Sequence, residues 1–375
     1  MPPTVARLAG HRLFWPLALL AALLVTNVAY TPDFFSIQIR DGHLFGSLVD
    51  ILRLGSPLLL VALGMTLVIA IGGIDLSVGA VVAISGAVAC LNISELTDQQ
   101  SVSGVVVAVL LALGVCIALG VWNGVLVAGI GMQPIIATLI LMVAGRGVAQ
   151  MITSGRIVTV NSEPYHLIGG GYELGLPLSV VIAAAVLVLT GLVVRRTALG
   201  LLLESVGGNR EASRLVGIRA RGLTIAVYAF CALCAAGAGL MVSSNVAAAD
   251  GNNAGLWIEL DAILAVVIGG TSLTGGRFHL GGTAIGALVI QTLSTTVYTV
   301  GVPPETTLVF KALVVMAVCL LQSPAFRAKV LSRRLSRRSG TGVGAPANGT
   351  ATSTGSSRSN TPAGAAQSPK EATTL

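Results

Sequence analysis

Long apolar runs alternate with short polar or glycine-rich connections between Phe14 and Gln322. A helix needs about 20 mostly apolar residues to cross a bilayer, and ten runs approach that length. The pattern predicts an all-α polytopic membrane protein with about ten transmembrane helices. The second, third and eighth runs are short, so we expect their helices to continue into the glycine-rich segments beside them. The predicted spans are Phe14–Tyr30, Ser56–Ile71, Leu76–Leu91, Val102–Leu126, Pro134–Ile152, Leu176–Val194, Leu223–Ser243, Leu256–Ile268, His279–Val297 and Glu305–Leu321.

Basic residues are concentrated in alternate connections. If both termini are cytoplasmic, seventeen of the 22 Lys and Arg residues lie inside, and the outside connections hold Arg40, Arg53 and Arg156. Because Lys and Arg are enriched in cytoplasmic loops, the pattern predicts cytoplasmic termini and an even number of spans, which eight or twelve spans would also satisfy. The net charge of +7 is then mainly an orientation signal, and no nucleic-acid partner is expected.

The composition agrees with this topology. Charged residues make up 10% of the chain, against about 25% in soluble proteins, which excludes a soluble fold. The 46 glycines and the 4% aromatic content are typical of membrane helices that pack closely on small residues. All five cysteines lie within apolar runs, which favours packing over disulfides. Cys231 and Cys234 have the spacing of a zinc or thioredoxin motif but lack its context, so packing is favoured there too.

The two ends of the chain differ from its middle. Arg7 and Arg12 precede the first apolar run, as in a signal peptide, but no clear small-x-small cleavage site follows, which favours an uncleaved first span. Residues 339–375 are almost all small or polar, a composition typical of disorder. We therefore predict a transmembrane domain over 1–338 with a cytoplasmic loop at 195–222, and a disordered cytoplasmic tail over 339–375.

Ionisable side chains within predicted spans are costly to bury and are candidates for function. Asp75, Glu259 and Asp261 are the acidic ones, and Arg146 and Lys311 are the basic ones. A structural interpretation is equally open. Asp75 would cap the helix that follows it, the two basic residues would pair with buried carboxylates, and the other two carboxylates would face lipid headgroups.

A glycine-rich pattern occurs twice. Residues 71–79, IGGIDLSVG, and residues 268–276, IGGTSLTGG, share their glycine spacing, and each borders a short span. Irregular backbone at membrane depth survives where it lines a cavity or is buried in protein, and paired interrupted segments point to a substrate path. The predicted topology places both copies on the cytoplasmic side.

The connection at 195–222 has the pattern of a short amphipathic helix. Asn209 is suited to cap it, Glu211 lies in its first turn, and Gly217 stands where a C-terminal glycine belongs. Its apolar positions share one face and its arginines the other. Such a helix would either lie on anionic headgroups or dock into a cytosolic partner. The apolar face comprises Ala212, Leu215 and Val216, and the basic face of the helix comprises Arg210 and Arg214.

The sequence carries no nucleotide-binding or catalytic motif. It contains no Gly-x-x-x-x-Gly-Lys-[Ser/Thr] phosphate loop, no His/Glu/Asp metal motif and no serine nucleophile elbow. An integral membrane enzyme is therefore disfavoured, and the chain itself is expected to bind no metal or cofactor. A transporter remains, driven either by an ion gradient or by a separate ATPase subunit.

Three stretches of sequence have a specific combination of motifs. They are GMTLVI at 64–69 followed by GGIDLSVGA at 72–80, LGLLLESVGGNREASRLVGIRARG at 199–222, and ELDAILAVVIGGTSLTGGRF at 259–278. In these motifs the chain resembles the permease subunits of bacterial ABC importers for sugars of the ribose and galactofuranose type. The likeness extends from about Phe45 to Gln322, and NNAGLW at 252–257 favours galactofuranose over ribose.

That resemblance implies a permease of about ten spans in the bacterial inner membrane, paired with a second permease chain that is identical or paralogous. Two cytosolic ATPase domains using ATP and Mg would drive it, and a periplasmic sugar-binding protein would deliver a monosaccharide. The segment at 207–217 would be the coupling helix that contacts the ATPase. Its candidate residues are Asn209, Arg210, Glu211, Ala212, Arg214, Leu215 and Gly217.

The resemblance also implies transport by alternating access. Polar groups near the apolar runs are the candidates for transient contacts with sugar hydroxyls. They are Asp75, Ser77, Asn123, Gln133, Glu259 and Asp261. The alternative is an ion-coupled secondary transporter of small polar solutes, in which the same carboxylates carry protons or sodium.

Overall fold

The computed structural model describes residues 14–320 apart from 41, 174, 302–305, 307–308, 314–315 and 317–319. This part of the chain is mainly helical, with three two-stranded antiparallel sheets confined to the connections. The helices are α1 (Phe14–Tyr30), α2 (Ser47–Ala70), α3 (Val78–Ser94), α4 (Val102–Val125), α5 (Pro134–Ile152), α6 (Glu163–Gly170), α7 (Leu178–Arg196), α8 (Leu199–Gly208), α9 (Arg210–Leu215), α10 (Ala220–Asn245), α11 (Ile258–Ile268) and α12 (Leu280–Val300).

The remaining elements are short. A 3-10 turn spans Pro32–Phe35, and Leu126–Ile130 continue α4 as a π-helical turn. The strands are β1 (Gln38–Arg40), β2 (His43–Phe45), β3 (Ile157–Thr159), β4 (Tyr172–Glu173), β5 (Leu176–Pro177) and β6 (Ala248–Asp250), paired as β1–β2, β3–β6 and β4–β5.

Within the described residues, six helices are long and apolar enough to cross a membrane. They are α2, α4 with its π-helical turn, α5, α7, α10 and α12, and α1, α3 and α8 are shorter apolar helices. The first nine predicted runs therefore all coincide with helices, including the 11-residue α11. The tenth run, Glu305–Leu321, falls largely outside the described residues, and so do the predicted tail at 339–375 and Cys319.

The predicted extension of the short runs into the glycine-rich segments is wrong. α2 extends the other way, to Ser47, with Pro57 inside it. α3 likewise runs on to Ser94, and α11 stays at 11 residues, about 16 Å at 1.5 Å per residue. The glycines themselves end the helices, because Gly72 and Gly270 have φ of +79° and +88°, the left-handed conformation typical of a residue just past a helix C-terminus.

α10 is the central helix and packs against α2, α3 and α4. A Cβ added at Gly64 would lie 2.8 Å from Cα of Cys231, and one added at Gly124 would lie 2.7 Å from Cα of Ile225. Backbones approach this closely only where side chains are small. Cys231 and Cys234 are both buried, and neither forms a disulfide within the described residues, in agreement with the packing interpretation.

The outer helices differ from this core. α4, α5 and α7 expose many large apolar side chains, whereas most residues of α2 and α3 are buried. An apolar outer surface around a buried helical core suits a protein surrounded by lipid.

The connections gather at the two ends of the helix bundle. At one end, strand β3 pairs with β6, the Leu44 N–H donates to the Gly175 carbonyl at 2.9 Å, and Gln100 Nε2 donates to the Asn161 carbonyl at 2.7 Å. At the other end, the Gly276 N–H donates to the Ala70 carbonyl at 2.9 Å. We call these ends the acidic face, formed by 31–40, 42–46, 95–101, 153–173, 175–177 and 246–250, and the basic face, formed by 71–72, 131–133, 197–219 and 269–279.

Candidate transport site

Asp75 lies in the break between α2 and α3 and is 1% exposed. Its Oδ1 accepts hydrogen bonds from the Ser77 backbone N–H at 2.9 Å and from the Ser77 hydroxyl at 2.6 Å. Asn123 of α4 is also buried and donates from Nδ2 to Ser77 Oγ at 2.9 Å. Three of the candidate residues thus form one buried network. The predicted cap at Asp75 is wrong: α3 begins at Val78 with Ser77 at its N-cap position, and Asp75 instead accepts from the Ser77 N–H just before the helix.

The break is deep in the helix bundle. A Cβ added at Gly73 would lie 2.7 Å from the hydroxyl oxygen of Tyr228, which stands about 12 Å along α10 from its start at 1.5 Å per residue. The Thr138 hydroxyl of α5 is 3.3 Å from the Ile74 carbonyl oxygen, to which it donates. The irregular backbone is therefore buried in protein, the condition under which such backbone survives at membrane depth.

Glu259 forms a second buried carboxylate, in the first turn of α11, and is 2% exposed. A Cβ added at Gly79 would collide with Glu259 Oε2 and would lie 2.7 Å from the Gly255 carbonyl oxygen. Among the residues that the structure describes, Glu259 Oε2 has no hydrogen-bond partner. The interpretation that Glu259 faces lipid headgroups is therefore wrong.

The loop at 251–257, which we call the inner loop, runs from the acidic face to the start of α3. A Cβ added at Gly255 would lie 2.8 Å from the Gly79 carbonyl oxygen. Arg146 of α5 donates from Nη1 to the Ala254 carbonyl oxygen at 2.6 Å. No carboxylate in the described ranges lies within 4.0 Å of Arg146, so its predicted pairing with a carboxylate is wrong and it holds the loop backbone instead.

Asp250 anchors the other end of the inner loop. Its Oδ1 accepts from the Asn252 N–H at 2.8 Å, and its Oδ2 accepts from Asn253 Nδ2 at 2.7 Å. The Asn253 side chain and the loop N–H groups hold the pKa of Asp250 below its usual value, so the carboxylate is ionised at neutral pH. The loop is therefore fixed at its start by Asp250 and at its middle by Arg146.

The other two candidate residues lie elsewhere. Asp261 of α11 accepts from Lys311 Nζ at 2.9 Å, which confirms the predicted pairing of Lys311 with a carboxylate. Gln133 immediately precedes α5 at the basic face. The six candidates therefore do not form one site.

A cavity of about 360 Å³ opens at the acidic face. Its walls come from α2, α6, α7, α10, α11, the middle of α12 and the inner loop, and they are mostly apolar. Its polar lining residues are Arg53, Ser179, Asn245, Asn253, Asp261 and Gln291. Of these, the sequence analysis identified only Asp261, because an isolated amide or hydroxyl in an apolar run carries no signal of what it faces.

A second cavity, of about 730 Å³, opens at the basic face. It lies between the start of α5 and the segment around α9, and its lining includes Gln133, Arg210, Glu211, Arg214 and Arg219. Gln133 and the arginines of the predicted coupling segment thus border one space.

α9 has the capping that the sequence predicts. Asn209 Oδ1 accepts from the Ala212 N–H at 2.9 Å, and Gly217 ends the turn with φ of +86°. Leu215 and Val216 are 82% and 77% exposed, and Ala212 is exposed as well. The apolar face of the helix therefore points away from the protein.

The segment at 207–217 is not one continuous helix, however. Gly207 belongs to α8 and packs so closely on the Ala70 carbonyl that any Cβ there would collide with it. The same Cβ would lie 2.7 Å from the Gly276 nitrogen, and one added at Gly275 would lie 2.9 Å from the Gly72 nitrogen. The two copies of the glycine-rich pattern thus meet each other and α8, and we call this contact the glycine junction.

No group of three or more His, Cys, Asp or Glu side chains in the described part of the chain is placed to hold a metal ion.

Comparisons with known proteins place the chain among transport permeases. Residues 47–319 match the family model described as branched-chain amino acid transport system / permease component. The galactofuranose transporter permease protein of Escherichia coli is 50% identical over 84% of this chain and 92% of its own length. The fructose import permease protein of Bifidobacterium longum is 41% identical over 85% of this chain and 90% of its own length. The ribose import permease protein of Escherichia coli is 36% identical over 85% of this chain and 99% of its own length.

No solved structure matches the chain significantly. The family match nevertheless covers helices α2 to α12, the inner loop and the segment around α9, and the relatives align over most of both chains. The chain is therefore a multi-pass membrane protein that belongs to this family of transport-system permease components.

Proposed function

We propose that this chain is the membrane-spanning subunit of an ATP-driven importer that moves a monosaccharide, with galactofuranose favoured, from periplasm to cytoplasm. The choice of galactofuranose rests on the 50% identity to the galactofuranose permease protein, and the 41% and 36% identities to fructose and ribose permeases support a sugar in general. The observation that carries ATP coupling is α9, a capped helix whose apolar face is exposed at the basic face.

The proposal includes the setting of the permease. The chain lies in the bacterial inner membrane with about ten spans, both termini and the basic face in the cytoplasm, and residues 339–375 as a cytoplasmic tail. It pairs with a second permease chain, identical or paralogous, and with two cytosolic ATPase domains that use ATP and Mg. A periplasmic sugar-binding protein delivers the sugar to the acidic face. The concentration of arginine at the basic face supports this orientation.

The proposed coupling runs from α9 into the membrane helices. Asn209, Arg210, Glu211, Ala212, Arg214, Leu215 and Gly217 form or flank the surface that enters the ATPase. Movement of α9 reaches α8, from which Asn209 alone separates it. At the glycine junction, Gly207 of α8 presses on the Ala70 carbonyl at the end of α2. This contact is between backbones, with no flexible side chain between them. A displacement of α8 therefore moves the end of α2 and with it the break in which Asp75 lies.

The proposed path uses the two cavities in turn. The acidic-face cavity with Asp261 receives the sugar, and the basic-face cavity with Gln133 releases it. The Asp75, Ser77 and Asn123 network and the Glu259 site lie deeper than the loops of either face, so they are placed to rearrange between the inward-open and outward-open states.

The test is uptake by the permease reconstituted with its ATPase and binding protein. We expect sugar uptake that requires ATP and the binding protein. Uptake that follows an imposed proton or sodium gradient and ignores ATP would overturn the proposal in favour of a secondary transporter.

Gly217→Val tests the role of α9 against a matched control. Gly217 and Gly281 both have open space for a side chain, but only Gly217 has a positive φ, which β-branched residues rarely adopt. We expect Gly217→Val to uncouple ATP hydrolysis from uptake and Gly281→Val, which lies outside both cavities, to leave both unchanged. If Gly217→Val transports sugar with normal ATP coupling at the control rate, α9 lies on the lipid headgroups and does not couple to the ATPase.

A further inference from the structure

We propose that the acidic-face cavity is a sugar subsite within this one chain, built to hold a neutral polyol through amide and hydroxyl groups that have no partner in the protein. The inference rests on the proposed function and names the residues that would contact the sugar. The cavity volume of about 360 Å³ falls in the range of about 300–1,000 Å³ that small-molecule sites occupy. Mostly apolar walls with a few convergent polar groups are likewise typical of such sites.

The first step of the argument is hydrogen-bond capacity. Ser179, at the start of α7, is 2% exposed, and its Oγ has no hydrogen-bond partner among the described residues. The side-chain amides of Asn245 and Gln291 are half-buried and make no hydrogen bond to any described part of the protein. Buried polar groups are normally paired, so the buried Ser179 Oγ indicates a missing partner. The two half-buried amides line the same cavity, and together the three groups suit a ligand that both donates and accepts hydrogen bonds.

The second step is charge. Asp261 is neutralised by Lys311 at 2.9 Å, and the Arg53 charge is paired with Asp50 at 3.4 Å. Arg53 Nε has no partner among the described residues and is a further donor for a hydroxyl group. The charged groups at the cavity thus already have partners of opposite sign. An anionic sugar phosphate or a zwitterionic amino acid would need uncompensated charge, whereas a neutral sugar needs only amides, hydroxyls and the spare carboxylate lone pairs.

The third step is the wall that the inner loop supplies. Asn253, Gly255 and Leu256 line the cavity, and the loop is held by Asp250 at one end and by Arg146 through the Ala254 carbonyl oxygen. None of the described lining residues is aromatic. The sugar therefore gains no stacking on a ring face, which suits a subsite that must release its cargo to the next stage of transport.

The experiment uses the complete complex of permease, ATPase and binding protein in proteoliposomes. Gln291→Leu removes one amide at similar volume, Asn245→Ala removes the other without filling the cavity, and Ser179→Ala removes the hydroxyl. Gln150→Leu is the matched control, because Gln150 is exposed on α5 and does not line the cavity. Uptake of labelled galactose, which supplies the furanose form, is measured alongside ATP hydrolysis stimulated by the binding protein.

We expect each cavity variant to lower uptake at least about fivefold, since each loses one hydrogen bond to the sugar. Stimulated ATP hydrolysis and the control should stay at wild-type rates. A second readout is labelling of Asn245→Cys by a thiol reagent from the acidic face, which excess galactose should slow and excess phosphate or leucine should not.

The outcomes separate the two proposals. If the wild-type complex takes up sugar with ATP and the cavity variants match it, or if sugar leaves the labelling rate unchanged, the subsite is overturned and the proposed function stands. If the variants lose stimulated ATP hydrolysis together with uptake, they act through the fold, and the subsite is again overturned. If the wild-type complex imports no sugar under any condition, the proposed function fails and the subsite fails with it.

Discussion

Asp75 and Glu259 are two buried carboxylates in similar settings, but they differ in the hydrogen bonds that they accept. Each stands beside a glycine-rich break at the start of a helix, and they are 1% and 2% exposed. Asp75 Oδ1 receives two hydrogen bonds from Ser77, and Asn123 extends the network. Glu259 Oε2 receives none from the described residues, and the guanidinium of Arg146 is directed to a backbone carbonyl instead.

The difference shows that burial alone does not identify a functional carboxylate in a membrane protein. A carboxylate whose acceptors are filled by its own chain fixes the local structure. A carboxylate with a spare acceptor is costly to keep buried and is available to a substrate or to a second conformation. We therefore expect Asp75 to act mainly on folding and Glu259 mainly on transport.

The largest effect should come from Asp75→Ala. The substitution leaves the Ser77 N–H and hydroxyl without their acceptor in a buried site, at about 1–3 kcal/mol for each group. We expect the yield of monodisperse protein to fall sharply and the melting temperature in detergent to drop by several degrees.

Asp75→Asn is the control for that prediction, because its side-chain oxygen still accepts from Ser77. We expect it to fold nearly as well as the wild type. If the Ala and Asn variants are equally stable, the hydrogen bonds that Asp75 accepts from Ser77 do not stabilise the fold, and Asp75 is not a structural carboxylate.

An intermediate effect is expected from Arg146→Met, which removes the bond to the Ala254 carbonyl oxygen and the positive charge nearest to Glu259. The inner loop should loosen, and both stability and uptake should fall. Arg156→Met, at an exposed position, should change neither.

A double-mutant cycle sharpens this prediction. If Arg146 compensates the Glu259 charge, Arg146→Met should be less damaging in a Glu259→Gln background, with a coupling energy of about 0.5–3 kcal/mol. Additive losses would mean that Arg146 acts on the loop alone.

The sequence predicts the parts of this fold that depend on local pattern. Apolar run length identifies the membrane helices, and the Asn209 cap and the Gly217 turn follow from residue type at fixed spacing. Helix ends are harder. Asp50 and Arg53 look like the border of a span, yet α2 continues through them to Ser47 because they lie near the acidic face, where polar side chains are solvated.

The candidate site depends on contacts between distant segments, and these leave no local signal. The bond from Asn123 to Ser77 joins residues 46 positions apart, and that from Arg146 to Ala254 joins residues 108 apart. Their position in or beside apolar runs identifies Asp75, Ser77, Asn123 and Glu259 as candidates. Which of these side chains have hydrogen-bond partners depends on how the helices pack, and a single run of sequence carries no signal of that.

Glu259→Gln should have the smallest effect on stability and a clear effect on transport. Replacing a buried carboxylate whose Oε2 lacks a donor by a neutral amide removes a cost of burial, so the melting temperature should stay level or rise. ATP-driven uptake should fall by about tenfold, the equivalent of one charge-assisted hydrogen bond to the moving sugar. Glu95→Gln, at an exposed position past the end of α3, should leave uptake unchanged. If Glu259→Gln instead unfolds the protein as Asp75→Ala does, then Glu259 is structural as well, and an unfilled acceptor does not mark function in this permease.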